Sequence, residues 1–375
     1  MRKSALFAFG LVVTALVALG LVVLSSASEA NGIRLYNNAY HFITRQAIYL
    51  VLAVGVGVAS AWLDYRLWRS HWWLTVLFYV IVLALLLAVF AFPPINGSRR
   101  WLPLGLVRLQ PSEFAKLVIV IVVAVWLDKA AWRVERFVRG ALLPFVFIGI
   151  LALPILLEPD FGSVMVVVLA AVLVMFVAEV RLLHLLPFVL LGAAVFVYKL
   201  FGNANRMGRL TSFFGMDVGD PQFYQLLQAL VALKNGGIQG VGLNQSMQKH
   251  FYLPEAHTDF IFAIGAEELG LFFSLGAVAL YLAFFALSVY IASKASDRFG
   301  RYLAIGMTFI IFFQAMFNIA VICGALPTKG MALPFFSYGG TNLLSSFFAV
   351  GTILSVGIHS YRERRRGTVH AVRFR

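Results

Sequence analysis

Only 12% of the 375 residues are charged. An ionisable side chain inside or beside an apolar run is therefore costly, and function is its default explanation. Glu113 and Lys116 stand three apart and share one helical face. They are either a structural intrahelical pair or part of a polar cavity. Glu158 and Asp160 flank Pro159 just ahead of an apolar run. Asp160 either caps that helix, where free amides and the helix dipole favour an acid, or faces a substrate. Asp259 allows the same two readings, with Thr258 as the cap and Asp259 in the first turn. Glu267 and Glu268 begin about 12 Å further along the helix, and Glu268 reads as a structural polar contact. His257 reads as an orienting or interfacial residue. Arg99, Arg100, Arg206, Arg209 and Lys249 supply cations in neighbouring polar segments. A carboxylate can take a proton from an attacking hydroxyl, and cations can stabilise charge developing on a leaving group.

Other chemistries lack their residues. HExxH and CxxC spacings are absent, and the single cysteine, Cys323, excludes an intrachain disulfide and a cysteine-built metal site. A divalent cation (Mg or Mn) held by carboxylates is compatible with the sequence, which does not demand one. Gly236 to Gly242 lacks the strand–turn–helix setting of a nucleotide loop and reads as a close-packed turn. Ser337-Tyr338-Gly339-Gly340 has no paired base in sequence and reads as a turn, not a nucleophile.

The elements that position these residues are membrane helices. Hydrophobic residues make up 61% of the chain and mean hydropathy is +0.89. A soluble domain carries roughly 25% charged residues, so this chain cannot cover a water-facing surface. Spans of about 20 apolar residues are expected near 5–24, 42–62, 72–92, 112–128, 141–157, 162–179, 185–201, 258–292, 302–324 and 341–360. The fold class is thus all-α and polytopic, a single bundle of about ten transmembrane helices. The run at 258–292 exceeds one crossing, so it is tilted or begins outside the membrane. Met1-Arg2-Lys3 and the following apolar run resemble a secretory signal with a cleavage site at Ala27–Ala30, but the run is too long and reads as an uncleaved first span.

With the N-terminus inside, eighteen Lys and Arg fall in inner segments and six in short outer loops. The positive-inside rule then puts both termini in the cytoplasm, including a basic tail at about 361–375. The same distribution explains the formal charge of +14 without nucleic acid; anionic lipid and lipid-linked substrates are the natural counter-charges. One long outer loop, about 202–257, carries glycines, amides and charges where a short turn would suffice. Such loops are usually functional, and its apolar stretch Tyr224–Ala232 is predicted to form a short helix lying on the membrane.

Several of these residues sit in longer runs. Gln110-Pro111-Ser112-Glu113-Phe114-Ala115-Lys116, Glu158-Pro159-Asp160-Phe161-Gly162-Ser163, Tyr252 through Asp259 to Ala263 with Glu267-Glu268-Leu269-Gly270, and Gly324 through Pro327-Thr328-Lys329-Gly330 to Thr341 resemble, in order, the motifs of the SEDS family of peptidoglycan glycosyltransferases. Ser163 stands where the family has threonine, and Thr341 where serine is common. Asn244–Lys249 and Pro327–Gly330 look more like the division-type branch than the elongation-type branch.

The resemblance implies polymerisation of lipid II on the outer face of the bacterial inner membrane, with Asp259 as the base. Arg99, Arg100, Arg206, Arg209, Lys116 and Lys249 are then candidates for the pyrophosphate, with Asp160 and Glu113 lining the same cavity and His257 beside it. It also implies a class B penicillin-binding protein as partner, along with other divisome or elongasome membrane proteins. Two further classes stay open on the residues alone. A lipid II flippase needs polar groups along a through-path, whereas here they gather in the outer half. A scaffold for other membrane proteins would leave the acidic cluster without a role.

Overall fold

The computed structural model describes residues 3–94, 98–104, 107–201 and 221–373. Among them the longer helices are α1 (Lys3–Tyr36), α2 (His41–Trp62), α3 (Trp72–Ala88), α4 (Pro111–Lys129), α5 (Leu143–Leu157), α6 (Phe161–Val177), α7 (Leu182–Phe201), α8 (Pro221–Gly236), α9 (Ile261–Ser293), α10 (Arg298–Ile322) and α11 (Gly340–Arg373). A helix covers each of the ten expected spans, and seven of the helices are long and apolar enough to cross a membrane by length and composition. The chain is a multi-pass membrane protein. A two-stranded hairpin, β1 (Leu102–Leu104) with β2 (Val107–Leu109), precedes α4.

The sequence explains the layout. Helix α4 starts with Pro111 in its first turn, where the missing amide costs nothing. It is buried on nearly every side, from Ser112 and Glu113 through Leu127, which makes it the central post against which α3, α6 and α10 pack. Asp160 caps α6 by accepting from Ser163 N at 3.3 Å, so the capping reading of Asp160 holds. Helix α1 continues beyond its expected end, and Ala27 and Ser28 are fully buried in it, so the possible cleavage site lies inside a packed helix. The broadest helix–helix contact joins α2 to α11. There Gly57 and Gly351 let the backbones meet, and a Cβ on Gly351 would overlap Gly57 O. Without a hydrophobic drive between helices in lipid, such close small-residue crossings supply the packing.

Two elements differ from expectation. The short helix predicted at Tyr224–Ala232 is longer, spanning Pro221–Gly236, and packs mainly on α9. Helix α9 is not one continuous rod: Gly270 has φ 71° and ψ −158°, outside helical space. The long run at 258–292 is thus explained by a break.

Candidate functional site

The break in α9 leaves a half-helix, Ile261–Leu269, with Asp259 just ahead of it. The cap reading of Asp259 does not hold. The position before the helix is Phe260, with no side-chain cap bond, and the Thr258 hydroxyl donates instead to Glu255 O (3.2 Å) and Glu255 Oε2 (2.6 Å). What fixes this segment is the loop from Met331 to Gly340. Asn318 Nδ2, on α10, donates to both Asp259 O and Met331 O at 2.7 Å. Ser337 Oγ accepts from Leu333 N at 2.7 Å and donates to Thr258 O at 2.5 Å, while Tyr338 N donates to His257 O at 3.0 Å. The turn lies slightly earlier than expected, where Phe336 N and Ser337 N both donate to Leu333 O, and Ser337–Gly340 leads from it into α11; the Ser337 hydroxyl serves as a backbone strut. The His257 ring lies against Phe42, with centroids 4.8 Å apart, and burial lowers its pKa so that it is neutral at pH 7.

Around Asp259 the charges are mixed. Its residue is half-buried, yet protein packs closely around the carboxyl. Burial pushes its pKa up to about 7; Glu255 and Asp160 add to the push, and Arg100 opposes it. Asp160 goes the other way. Burial pushes it up, but Arg100, Lys329 and hydrogen bonds from Ser163 outweigh that and leave its pKa below the usual carboxylate value. Ser163 Oγ donates to Asp160 Oδ2 at 2.6 Å, with Ser112 Oγ and Gln110 Nε2 each at 3.5 Å. The neighbouring Glu158 is buried, both its oxygens lack a partner among the described residues, and burial with Asp160 pushes it up to about 8. Two carboxyls within three residues thus hold different protonation states at pH 7. Arg100 is anchored by donating to Glu158 O (3.3 Å) and Pro159 O (2.9 Å).

A second polar layer lies one turn along α10. Lys116 Nζ and Glu113 Oε1 are 2.7 Å apart and both buried, so the structural pair read from their spacing is real. It is also part of a larger cluster. Ser345 Oγ donates to Glu113 Oε2 at 3.1 Å, and the Gln314 amide oxygen accepts from Lys116 Nζ at 2.8 Å. Gln314 and Asn318 are four apart on α10 and so share a face, linking the Lys116 layer to the residue that holds Asp259.

Not every sequence candidate joins this set. Arg99 is exposed and donates to Phe90 O at 3.1 Å. Lys249 departs most from expectation. It is buried, and its ammonium donates to Ser26 Oγ (3.0 Å) and Asn244 O (2.9 Å) and lies 3.5 Å from Glu268 Oε1. Its hydrogen bonds and ion pairs tie α1, the loop after α8 and α9, and none of them reaches the Asp259 layer. Glu268 is the structural polar contact its position suggested. Arg206 and Arg209 lie outside the described residues. Lys329, Gly330, Gln314 and Asn318 were not singled out as site residues from the sequence. Lys329 and Gly330 stood within the Pro327–Gly330 motif, but neither was given a role there.

Among the described residues, no group of three or more His, Cys, Asp or Glu is arranged to hold a metal ion.

The comparisons agree with this layout. The family described as cell cycle protein (FtsW, RodA, SpoVE) matches residues 7–362. The probable peptidoglycan glycosyltransferase FtsW of Coxiella burnetii is 38% identical over 347 residues, covering 91% of this chain and 93% of that protein. A solved chain described under structural coordination of polymerization and crosslinking by a peptidoglycan synthase complex superposes with a TM-score of 0.77 at 26% identity, covering 95% of this chain and 98% of that one. Thermus thermophilus rod shape determining protein RodA superposes with a TM-score of 0.64 at 28% identity, over 94% and 96% of the two chains.

Proposed function

The chain belongs to the FtsW, RodA and SpoVE family, and from that premise we propose that it is a peptidoglycan glycosyltransferase that polymerises lipid II at the outer face of the bacterial inner membrane, for septal wall synthesis. The observation that carries the reading is the Asp259 carboxyl: it is held just ahead of a broken membrane helix, and its pKa is raised to about 7.

A general base works best when its pKa lies near the working pH. Asp259 takes the proton from the 4-hydroxyl of the acceptor sugar as that oxygen attacks the donor's anomeric carbon. The new C–O bond forms as the bond from the anomeric carbon to the lipid pyrophosphate breaks, and the pyrophosphate leaves with the electron pair. A single displacement turns the α-linked donor into a β-1,4 product. The leaving group is already a stable anion, so it needs positive charge and no strong acid. Arg100 acts on both Asp259 and Asp160, and Lys329 acts on Asp160, so these two are the described cations assigned to the leaving group. Asp160 is kept ionised by their charge, while Lys116 belongs to the supporting layer below. Both termini lie in the cytoplasm under the positive-inside distribution. A class B penicillin-binding protein is the partner that cross-links the product; this part of the reading rests on the similarity to a chain of a peptidoglycan synthase complex.

The test is lipid II polymerisation by purified protein with that transpeptidase, wild type against Asp259→Ala. Glycan from the wild type and none from a folded variant supports the reading. Equal glycan from both removes Asp259 as the base. Transbilayer movement of lipid II without glycan from either would favour transport.

A further inference from the structure

Lys249 and Glu268 take no part in the chemistry at Asp259, yet their side chains are only 2% and 1% exposed. Burying two charges is expensive, and a buried ion pair is weak evidence for stability and better evidence for fixed geometry. Its location shows what geometry it could fix. Glu268 sits two residues before the break at Gly270, at the far end of the half-helix whose near end follows Asp259.

The near end is tied by Asn318, Ser337 and Tyr338. The far end is tied by the Glu267 carboxylate, which accepts from Asn235, Ser246 and Gln248, and by two further sets of contacts. The turn after α8 enters the hydrogen-bond ladder of α9 at the break: Val241 N donates to Glu267 O and Gly242 N to Glu268 O, each at 3.0 Å, while Leu271 N donates to Gly237 O at 3.0 Å. The second set is the side-chain cluster. Ser26 Oγ, on α1, donates to Glu268 Oε1 at 2.5 Å and accepts from Lys249 Nζ at 3.0 Å, and Lys249 faces Glu268 at 3.5 Å. The Ser26 hydroxyl and the two ion pairs of Lys249, to Glu268 and to Glu29 on α1 at 3.8 Å, thus bolt the far end of the half-helix to a helix distant in sequence.

We infer that the Ser26–Lys249–Glu268 cluster is a clamp that sets the tilt of the half-helix, so that Lys249 and Glu268 are positioning residues for the transfer at Asp259. The inference rests on Asp259 being the base. The half-helix Ile261–Leu269 is about 13 Å long at the α-helical rise. A tilt of about 5° then moves its end by about 1 Å, and a misplacement of that size can cost about 100-fold in rate. A discontinuous membrane helix has no continuous ladder to resist such a tilt, and its neighbours must do so.

The experiment uses full-length protein in complex with its transpeptidase, comparing wild type, Lys249→Met, Lys249→Arg and Ser26→Ala. Steady-state lipid II polymerisation is paired with hydrogen–deuterium exchange on the same samples. Lys249→Met is expected to lose about 100-fold in kcat with KM unchanged, and to speed exchange in peptides covering 257–269. Lys249→Arg keeps the charge and is expected to recover most of kcat. Ser26→Ala leaves both ion pairs in place, so it carries the test if Lys249→Met fails to fold; it is expected to show the same pattern at a smaller size. Unchanged kcat in the folded variants overturns the inference. So does faster exchange confined to 244–250 while 257–269 stays protected. The exchange result does not depend on which residue is the base: if Asp259→Ala stays active while exchange responds, the base assignment fails and the clamp stands.

Discussion

The backbone of Gly330 lies so close to the Asp259 carboxylate that a Cβ on Gly330 would overlap Asp259 Oδ2. No backbone strain comes with this glycine, because its φ lies outside the left-handed region. A Gly330→Ala chain should therefore fold, and the added methyl should act mainly by pushing the carboxylate aside. Displacing a reacting group by about 1 Å can cost about 100-fold. The expected outcome is a kcat lower by about 10- to 100-fold with little change in thermal midpoint, measured by glycan synthesis and by unfolding in detergent. Wild-type kcat would show that the carboxylate does not work from this position.

The raised pKa of Asp259 gives a pH profile with a definite sign. A base acts in its ionised form, and burial moves that ionisation up to about 7. The polymerisation rate should therefore fall as pH drops through about 7 and level off above it, where an ordinary aspartate near 3.9 would give a flat profile. Burial lowers the His257 pKa, so its own ionisation lies below that of Asp259. Rate against pH at saturating lipid II checks this.

Arg100 opposes the upward shift at Asp259 and also helps to lower Asp160. Replacing it by alanine should move the midpoint of the pH profile to higher pH, because the ionised form of Asp259 loses the cation that stabilises it. Arg100→Lys keeps the charge but cannot reproduce a planar guanidinium reaching two carbonyl groups, here those of Glu158 and Pro159. It should hold the midpoint near the wild-type value while lowering the rate. Equal midpoints in all three proteins would show that Arg100 does not act on the base.

These electrostatics were only partly legible in the sequence. The apolar runs announced the helices because length and composition alone make a span, and a helix stands over each expected span. The acids were legible for the same reason, since a charge in an apolar run is conspicuous. Their partners were not. Asn318 and Gln314 are uncharged residues inside α10, and nothing in their spacing says that one holds Asp259 O and the other meets Lys116. Lys249 misled for the opposite reason. A lysine in a polar loop looks available for an anion, and only the fold brings Ser26 from α1 and Glu268 from α9 to close around it. The break at Gly270 was foreshadowed by a run too long for one crossing, but a break and a tilt read alike in sequence.

That break gives the last prediction. Gly270 has φ 71° and ψ −158°, a region essentially reserved for glycine, and a Cβ there would lie 2.5 Å from both Gly240 N and Ile238 O. Gly270→Ala should cost about 1–3 kcal/mol from backbone strain alone, with a further loss as the turn at Gly237–Gly242 is pushed out of the α9 ladder. The thermal midpoint in detergent should drop, and exchange should rise on both sides of the break. Gly276 is the control within the same helix, since nothing lies within 4 Å of a Cβ added there. Gly276→Ala should be neutral or slightly stabilising, because alanine exceeds glycine in helix propensity by about 1 kcal/mol. If both variants behaved alike, the break would not be a fixed feature of the folded chain, and a continuous α9 would carry Asp259 instead.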